Sequence, residues 1–264
     1  MRGRSLRVLA ACVLAGLAGP ALAEAPVPTL LQPFEVVDTA RRPLEPGQGL
    51  RVVLRFRADQ AGKGNELSRR LRKAIGADGQ LVLGDVAYPV SKDKVEARHR
   101  QASFVIDHDT EVFTSVRAEL EAKEGKTADM AALTRFVGDF IQKKNLSRGL
   151  DVASVVAKRR EGDCTEHAVL LTALARMRGI PARVVTGVAL LPTPEGAQAF
   201  GHAWVEYAQK GRWRRADAAL PESLGVAYLP LGLWEDEGPG YAFSSSAVSV
   251  FLYLQGIRIE VAAP

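Results

Sequence analysis

The stretch from Asp163 to Gly179 constrains this chain more than any other. Asp163 stands three residues ahead of Glu166, the spacing of a reciprocal helix cap. Ala168 to Ala175 is then almost wholly apolar. A helix that is apolar all round must be buried, and burial holds its N-terminus rigidly. Gly179 suits the left-handed position after a helix, and Pro181 blocks continuation. The expected helix therefore runs from Cys164 to Arg178, with Cys164 at its first position.

A thiol in that place meets free backbone N–H groups and the positive end of the helix dipole, which favour a thiolate. Gly162 permits the tight entry that leaves the sulfur accessible. Glu166 opposes the effect where its carboxylate faces the sulfur. A second hairpin supplies partners. His202 to Tyr207 alternates as a strand, Lys210-Gly211 reads as a turn, and Arg212 to Asp217 returns. The start of one strand lies opposite the end of the next, so His202 and Asp217 are expected as neighbours. Cys164 as nucleophile, His202 as base and Asp217 as the group that orients the imidazole fill the roles of an acyl-transfer site. The Cys164 N–H is a candidate oxyanion donor.

His167 sits three residues after Cys164, on a neighbouring helix face. It is a candidate substrate contact, supporting donor or alternative base, with a structural hydrogen bond an equal reading. Glu166 reads as a cap. Trp204 shares the His202 face and either walls a cleft or packs in the core. Asp217 could instead cap a turn or pair with Arg215. Zinc ligation by Cys164, His167, His202 and Asp217 lacks the usual second close-spaced pair, so no metal is expected.

These residues resemble the transglutaminase-like superfamily. The blocks that carry the likeness are Glu161-Gly162-Asp163-Cys164-Thr165-Glu166-His167-Ala168, then Leu174 to Gly187, His202-Ala203-Trp204-Val205-Glu206, and Trp213 to Ala219. The resemblance covers about Ala128 to Pro221. It implies an α+β, papain-like transglutaminase core, with the Cys-bearing helix packed on an antiparallel sheet. The family's nucleophile, base and orienting acid fall on Cys164, His202 and Asp217. It implies thiol acyl chemistry on a protein or peptide substrate, without a cofactor. Animal cross-linking members carry Trp directly after the nucleophile, where this chain has Thr165. That departure argues against calcium-dependent cross-linking, and the chain looks more like the bacterial exported members. Hydrolysis by a peptidase or amidase is the expected outcome, because no protected site for an amine acceptor is legible; amine transfer by the same triad and a non-catalytic envelope binding module are the alternatives.

The remaining chain is read from pattern. Arg2, Arg4 and Arg7 precede an apolar stretch, Val8 to Ala18, and Ala21-Leu22-Ala23 is a small-x-small site. Residues 1–23 are thus expected to be an export signal cleaved after Ala23. Leu9-Ala10-Ala11-Cys12 resembles a lipid-attachment box, but the apolar run before it is very short. The whole chain has 35 basic and 30 acidic residues, a net charge of +5. Removing the signal's three arginines leaves a nearly balanced chain, so a nucleic-acid partner has no support. Periplasmic envelope proteins or peptidoglycan peptides follow as substrates from the expected location. The mature chain has no run long enough to span a membrane, and it keeps one cysteine, Cys164.

Residues 24–125 are expected as a strand-rich N-terminal module and 126–264 as the catalytic domain. Within the first, Leu50 to Arg57, Leu81 to Leu83, Val86 to Val90, Ala102 to Ile106 and Val112 to Val116 read as strands, and Glu66 to Ile75 as a helix. Glu119 to Asp129 reads as a linker, and His99 and His108 as exposed. Ala128 to Lys144 reads as a helix with a Leu133, Phe136, Val137, Phe140, Ile141 core stripe and Lys143 and Lys144 in its last turn. Asp151 is the expected cap of a short helix reaching Lys158. Ala182 to Leu191 reads as a strand, Pro192 to Gly201 as a loop, and Val248 to Ala262 as one or two final strands.

Overall fold

The computed structural model describes residues 36–38, 51–56, 80–83, 93–144, 151–193, 196–220, 226–233 and 257–262. The expected signal segment, the 66–75 helix and the 86–90 strand lie outside them. The architecture is α+β, as expected. Strands β1 (Val36–Asp38), β2 (Arg51–Phe56) and β3 (Gln80–Leu83) form a sheet with the last strand, β10 (Ile257–Ala262). The order is β1-β10-β2-β3, with β10 parallel to β1 and antiparallel to β2. The strand at 257–262 thus completes the sheet of the N-terminal strands.

The second sheet positions the site. Strands β6 (Ala182–Thr193), β7 (Gly196–Gln209), β8 (Arg212–Ala216) and β9 (Ala227–Leu233) lie in the order β8-β7-β6-β9, each pair antiparallel. The β6–β7 hairpin pairs without a break from Ala182↔Tyr207 to Thr193↔Gly196. The loop expected over Pro192 to Gly201 is therefore mostly strand. Backbone pairing between two long neighbours overrides the breaker signal of Pro192 and Gly196, as occurs near strand ends.

Helix α1 (Val112–Glu124) packs on α2 (Met130–Phe140), and α3 (Ala153–Arg159) and α4 (Cys164–Met177) complete the helical layer. Helix α4 lies across β6 and β7. Its Val169, Leu170, Leu171 and Leu174 are fully buried, each contributing roughly 2–3 kcal/mol by leaving water. Gly179 has φ 72°, the left-handed stop the sequence implies.

Five expectations need correction. Val112 to Val116 is the start of α1, and the presumed linker from Glu119 is its second half, ended by Gly125. Phe113, Val116 and Leu120 bury one helical face against the core, a three- and four-residue spacing that short β-branched runs conceal. Residues 102–106 are irregular chain with a bend at Phe104–Val105, not a strand. Helix α2 ends at Phe140, and Lys143–Lys144 forms a short strand, β4, parallel to β5 (Glu161–Gly162). Asp151 does not cap α3; its carboxylate pairs with Arg159, while Asp107 Oδ1 takes the Ser154 N–H at 2.7 Å. Finally, His99 is buried with its ring edge-on to Trp213, and His108 is partly buried. Charged neighbours in sequence did not reveal that both imidazoles turn inward.

Candidate active site

The α4 cap forms as its spacing requires. Asp163 Oδ1 accepts from Thr165 N at 2.8 Å, and Glu166 Oε2 accepts from Asp163 N at 2.9 Å. Glu166 Oε1 also takes the Asp151 N–H at 3.2 Å. Gly162 makes room for this arrangement, since a Cβ there would lie 2.3 Å from Glu166 Cβ. Burial, with the charge of Asp163 beside it, pushes Glu166 up to about 8. It therefore holds its proton to a higher pH than an ordinary carboxyl.

Cys164 begins the helix and packs against the core at the β7 strand. Strand β8 stops at Ala216, opposite Val205, so among the described residues no strand continues the pairing beside Ala203 and His202 on that edge of β7. There the Ala203 N–H lies toward the sulfur and favours its charged form. Burial nevertheless pushes the thiol well above its ordinary value; Asp163, Glu166 and Asp217 add to the rise, and the Ala203 N–H opposes it. The resting form is the neutral thiol, not the expected thiolate. Desolvation and nearby carboxylates outweigh the helix dipole, whose effect is a fraction of a unit charge.

His202 and Asp217 meet as the hairpin register implies. Lys210 and Gly211 adopt φ 52° and 73°, the two left-handed residues of a tight hairpin turn. The strands then pair from Gln209↔Arg212 to Val205↔Ala216. Asp217 follows directly, and its Oδ2 lies 2.7 Å from His202 Nε2. A carboxylate only accepts, so Nε2 carries the proton and Nδ1 is the nitrogen left to act as base. Both residues are buried. Asp217 Oδ1 also takes the Ala219 and Leu220 N–H groups at 2.8 and 3.2 Å, so one carboxylate both caps the turn and bonds the imidazole. Burial alone would raise Asp217, but the His202 charge, with bonds from His202, Tyr228 and Ala219, holds it below its ordinary value.

Trp204 is fully buried and stacks near His202, with ring centroids 6.2 Å apart. It backs the imidazole from the core instead of lining an open cleft. His167 is also buried. Its Nδ1 donates to the Asp163 carbonyl at 2.6 Å, leaving Nε2 to accept from Lys144 Nζ at 2.9 Å. Burial and the Lys144 charge lower its pKa to about 4. With both nitrogens engaged, it is not the alternative base.

Two residues at the site escaped the sequence reading. Tyr228, on β9, donates its hydroxyl to Asp217 Oδ2 at 2.7 Å. Burial, then the Asp217 charge, raises its pKa far above the ordinary phenol value. Lys144, read as a helix-end cation, instead pairs in register with Gly162, two residues before Cys164. No group of three or more His, Cys, Asp or Glu among the described residues is placed to hold a metal ion. No described helix is long and apolar enough to cross a membrane.

Residues 111–218 match the family model of the transglutaminase-like superfamily core. No curated protein matches the chain. Among solved structures, a candidate cysteine protease from Cytophaga hutchinsonii is 24% identical, with a TM-score of 0.40 over 51% of this chain and 46% of that one. The chain thus spans a little under half the length of that protein. The periplasmic domain of TgpA from Pseudomonas aeruginosa is 16% identical, with a TM-score of 0.36 over 74% of this chain and 84% of that domain. Its ethylmercury-bound form is 20% identical, with a TM-score of 0.34 over 55% and 61%.

Proposed function

We propose that this chain, with its transglutaminase-like core, is an exported thiol enzyme that hydrolyses peptide or amide bonds. The observation that carries the reading is the His202–Asp217 pair, at 2.7 Å, set where the β7 edge meets the Cys164 sulfur. His202 Nδ1 takes the thiol proton as sulfur attacks the carbonyl. A pre-formed ion pair is not needed, because the proton moves as the substrate reacts. The carbonyl oxygen becomes an oxyanion beside the α4 N-terminus, whose Cys164 N–H is placed to receive it. The protonated imidazole then gives its proton to the leaving amine, and a thioester forms on Cys164. Water, activated by the neutral Nδ1, releases the acid and restores the thiol. Asp217 holds the ring and offsets its positive charge throughout.

The Arg2–Ala23 segment supports export, and periplasmic peptides or proteins are the substrates that this location would offer. Incubating the protein and its Cys164→Ser variant with envelope extract, with and without a labelled amine, tests the reading by mass spectrometry. Cleavage that requires Cys164 supports hydrolysis. Amine incorporation without cleavage would replace hydrolysis by acyl transfer to amines. Products identical in both proteins would leave a non-catalytic binding module.

A further inference from the structure

Lys144 is exposed as a residue, yet its ammonium reaches into the active site. Strand β4 is fixed there by three backbone features. The Gln142 and Lys143 N–H groups both bond the Arg160 carbonyl, at 3.0 and 3.4 Å, and Lys144 sits in parallel register with Gly162. Arg160 itself is anchored, its guanidinium paired with Glu119 at 2.7 Å and lying over the Phe140 ring. The charge of Lys144 is felt by Asp217, Cys164 and Asp163, and burial lowers its pKa against their pull.

What holds this ammonium is unusual. Its bond goes to the neutral imidazole of His167, whose tautomer is locked by the Asp163 carbonyl. A carboxylate in that position would cancel the charge. A neutral acceptor aims it and leaves it whole. Among the described residues Lys144 makes no ion pair, because Asp163 is used in capping α4 and Asp217 in holding His202. An ammonium has three donors, so two remain beyond the His167 bond.

We infer that Lys144, aimed by His167, is an anion-docking residue that receives a carboxylate of the acyl substrate close to the scissile bond. The preferred substrates are then acidic peptides, bearing either a free C-terminus or an acidic side chain near the amide that is cut. This rests on the reading of Cys164 as nucleophile and names the substrate class of that site.

Two alkylating reagents of like size test it without knowledge of the natural substrate. Iodoacetate carries a carboxylate and iodoacetamide does not. Each is reacted with the full chain at low ionic strength, and alkylation of the Cys164 peptide is followed by mass spectrometry. The expected result is an iodoacetate-to-iodoacetamide rate ratio about tenfold above that of the urea-unfolded chain, the equivalent of one modest ion pair. Lys144→Gln should return the ratio to the unfolded value, and Lys144→Arg should keep most of it. An acetylated dialanine with a free C-terminus and an amide-capped acetylglutamate, added as protectants, separate the two carboxylate sources. Stronger protection by one identifies its kind.

A ratio unchanged by Lys144→Gln overturns the inference. So does equal slowing of both reagents, which would mean that the ammonium acts on the thiol alone. His202→Ala keeps the two readings apart. If it alters neither rate while the Lys144-dependent ratio persists, the docking site stands and the catalytic reading falls. A folded protein whose Cys164 resists both reagents overturns both.

Discussion

Tyr228 and His202 bond the same atom, Asp217 Oδ2, each at 2.7 Å and from different strands. The phenol adds a second donor to the oxygen that steadies the imidazole, so it shares in orienting the ring. Tyr228→Phe removes that donor without changing the packing much. The expected loss is about 1–2 kcal/mol in stability and about tenfold in turnover of the substrate found in extracts, a figure equivalent to about 1.4 kcal/mol. Asp217→Asn should cost far more turnover, since it also removes the charge. Steady-state kinetics with thermal unfolding of each variant checks the order.

Cys164 behaves oppositely to a primed thiolate. Its folded pKa is raised, so above pH 9 the unfolded chain gives up a proton that the folded chain keeps. Stability is then lost as pH rises beyond about 9. Cys164→Ala should soften that alkaline limb. Iodoacetamide should modify Cys164 more slowly at pH 7 in the folded protein than in urea. Faster reaction in the folded state would show that the thiol is primed at rest.

The buried ionisable groups fix a stability maximum. His99 and His167 are both lowered to about 4 by burial. Between 6.5 and 4 the unfolded chain binds protons that these imidazoles refuse, so stability falls as pH falls through that range. Glu166 is raised to about 8, so the folded chain holds its proton while the unfolded carboxylate loses it. Its contribution is present at low pH and is lost as pH rises from 4.5 to 8. Two imidazoles outweigh one carboxyl below 6.5, and above it the carboxyl acts without them. Urea unfolding across this range should give a maximum near pH 6.5. Glu166→Gln should flatten the decline toward pH 8, after losing about 1 kcal/mol for one hydrogen bond.

Gly187 faces His202 across the β6–β7 ladder. A Cβ there would lie 2.0 Å from the Leu229 carbonyl oxygen and 2.8 Å from Trp204 Cη2. The first is backbone and cannot swing aside. Gly187→Ala should therefore cost about 3 kcal/mol or more, and it should displace the Trp204 ring behind the imidazole. Gly179→Ala meets no neighbour and pays only for its positive φ, about 1 kcal/mol. Denaturation midpoints of the pair make the comparison.

Local signals explain what was legible. The Asp163–Glu166 spacing, the apolar run after it and the Lys210-Gly211 turn each act over a few residues, and they fixed α4 and the His202–Asp217 neighbourhood. Lys144 was hidden because two lysines after an apolar stripe read equally well as the end of a longer helix. Its true partner, Gly162, is distant in sequence, and a two-residue parallel strand has no periodicity. Tyr228 was missed because β9 joins the sheet through β6, not through its neighbour in the chain. His99 reads as exposed among charges until Trp213, far along the sequence, closes over it.

The Lys210–Gly211 turn has a consequence beyond closing a hairpin. Side chains on a strand alternate, so a slip of one residue at that bend would swing Asp217 to the far side of the sheet. His202 would keep its place and lose its carboxylate. The turn at Lys210 and Gly211 therefore sets whether the two side chains meet. Lengthening this bend by one residue would unhitch the imidazole while leaving every side chain of the site unaltered in identity.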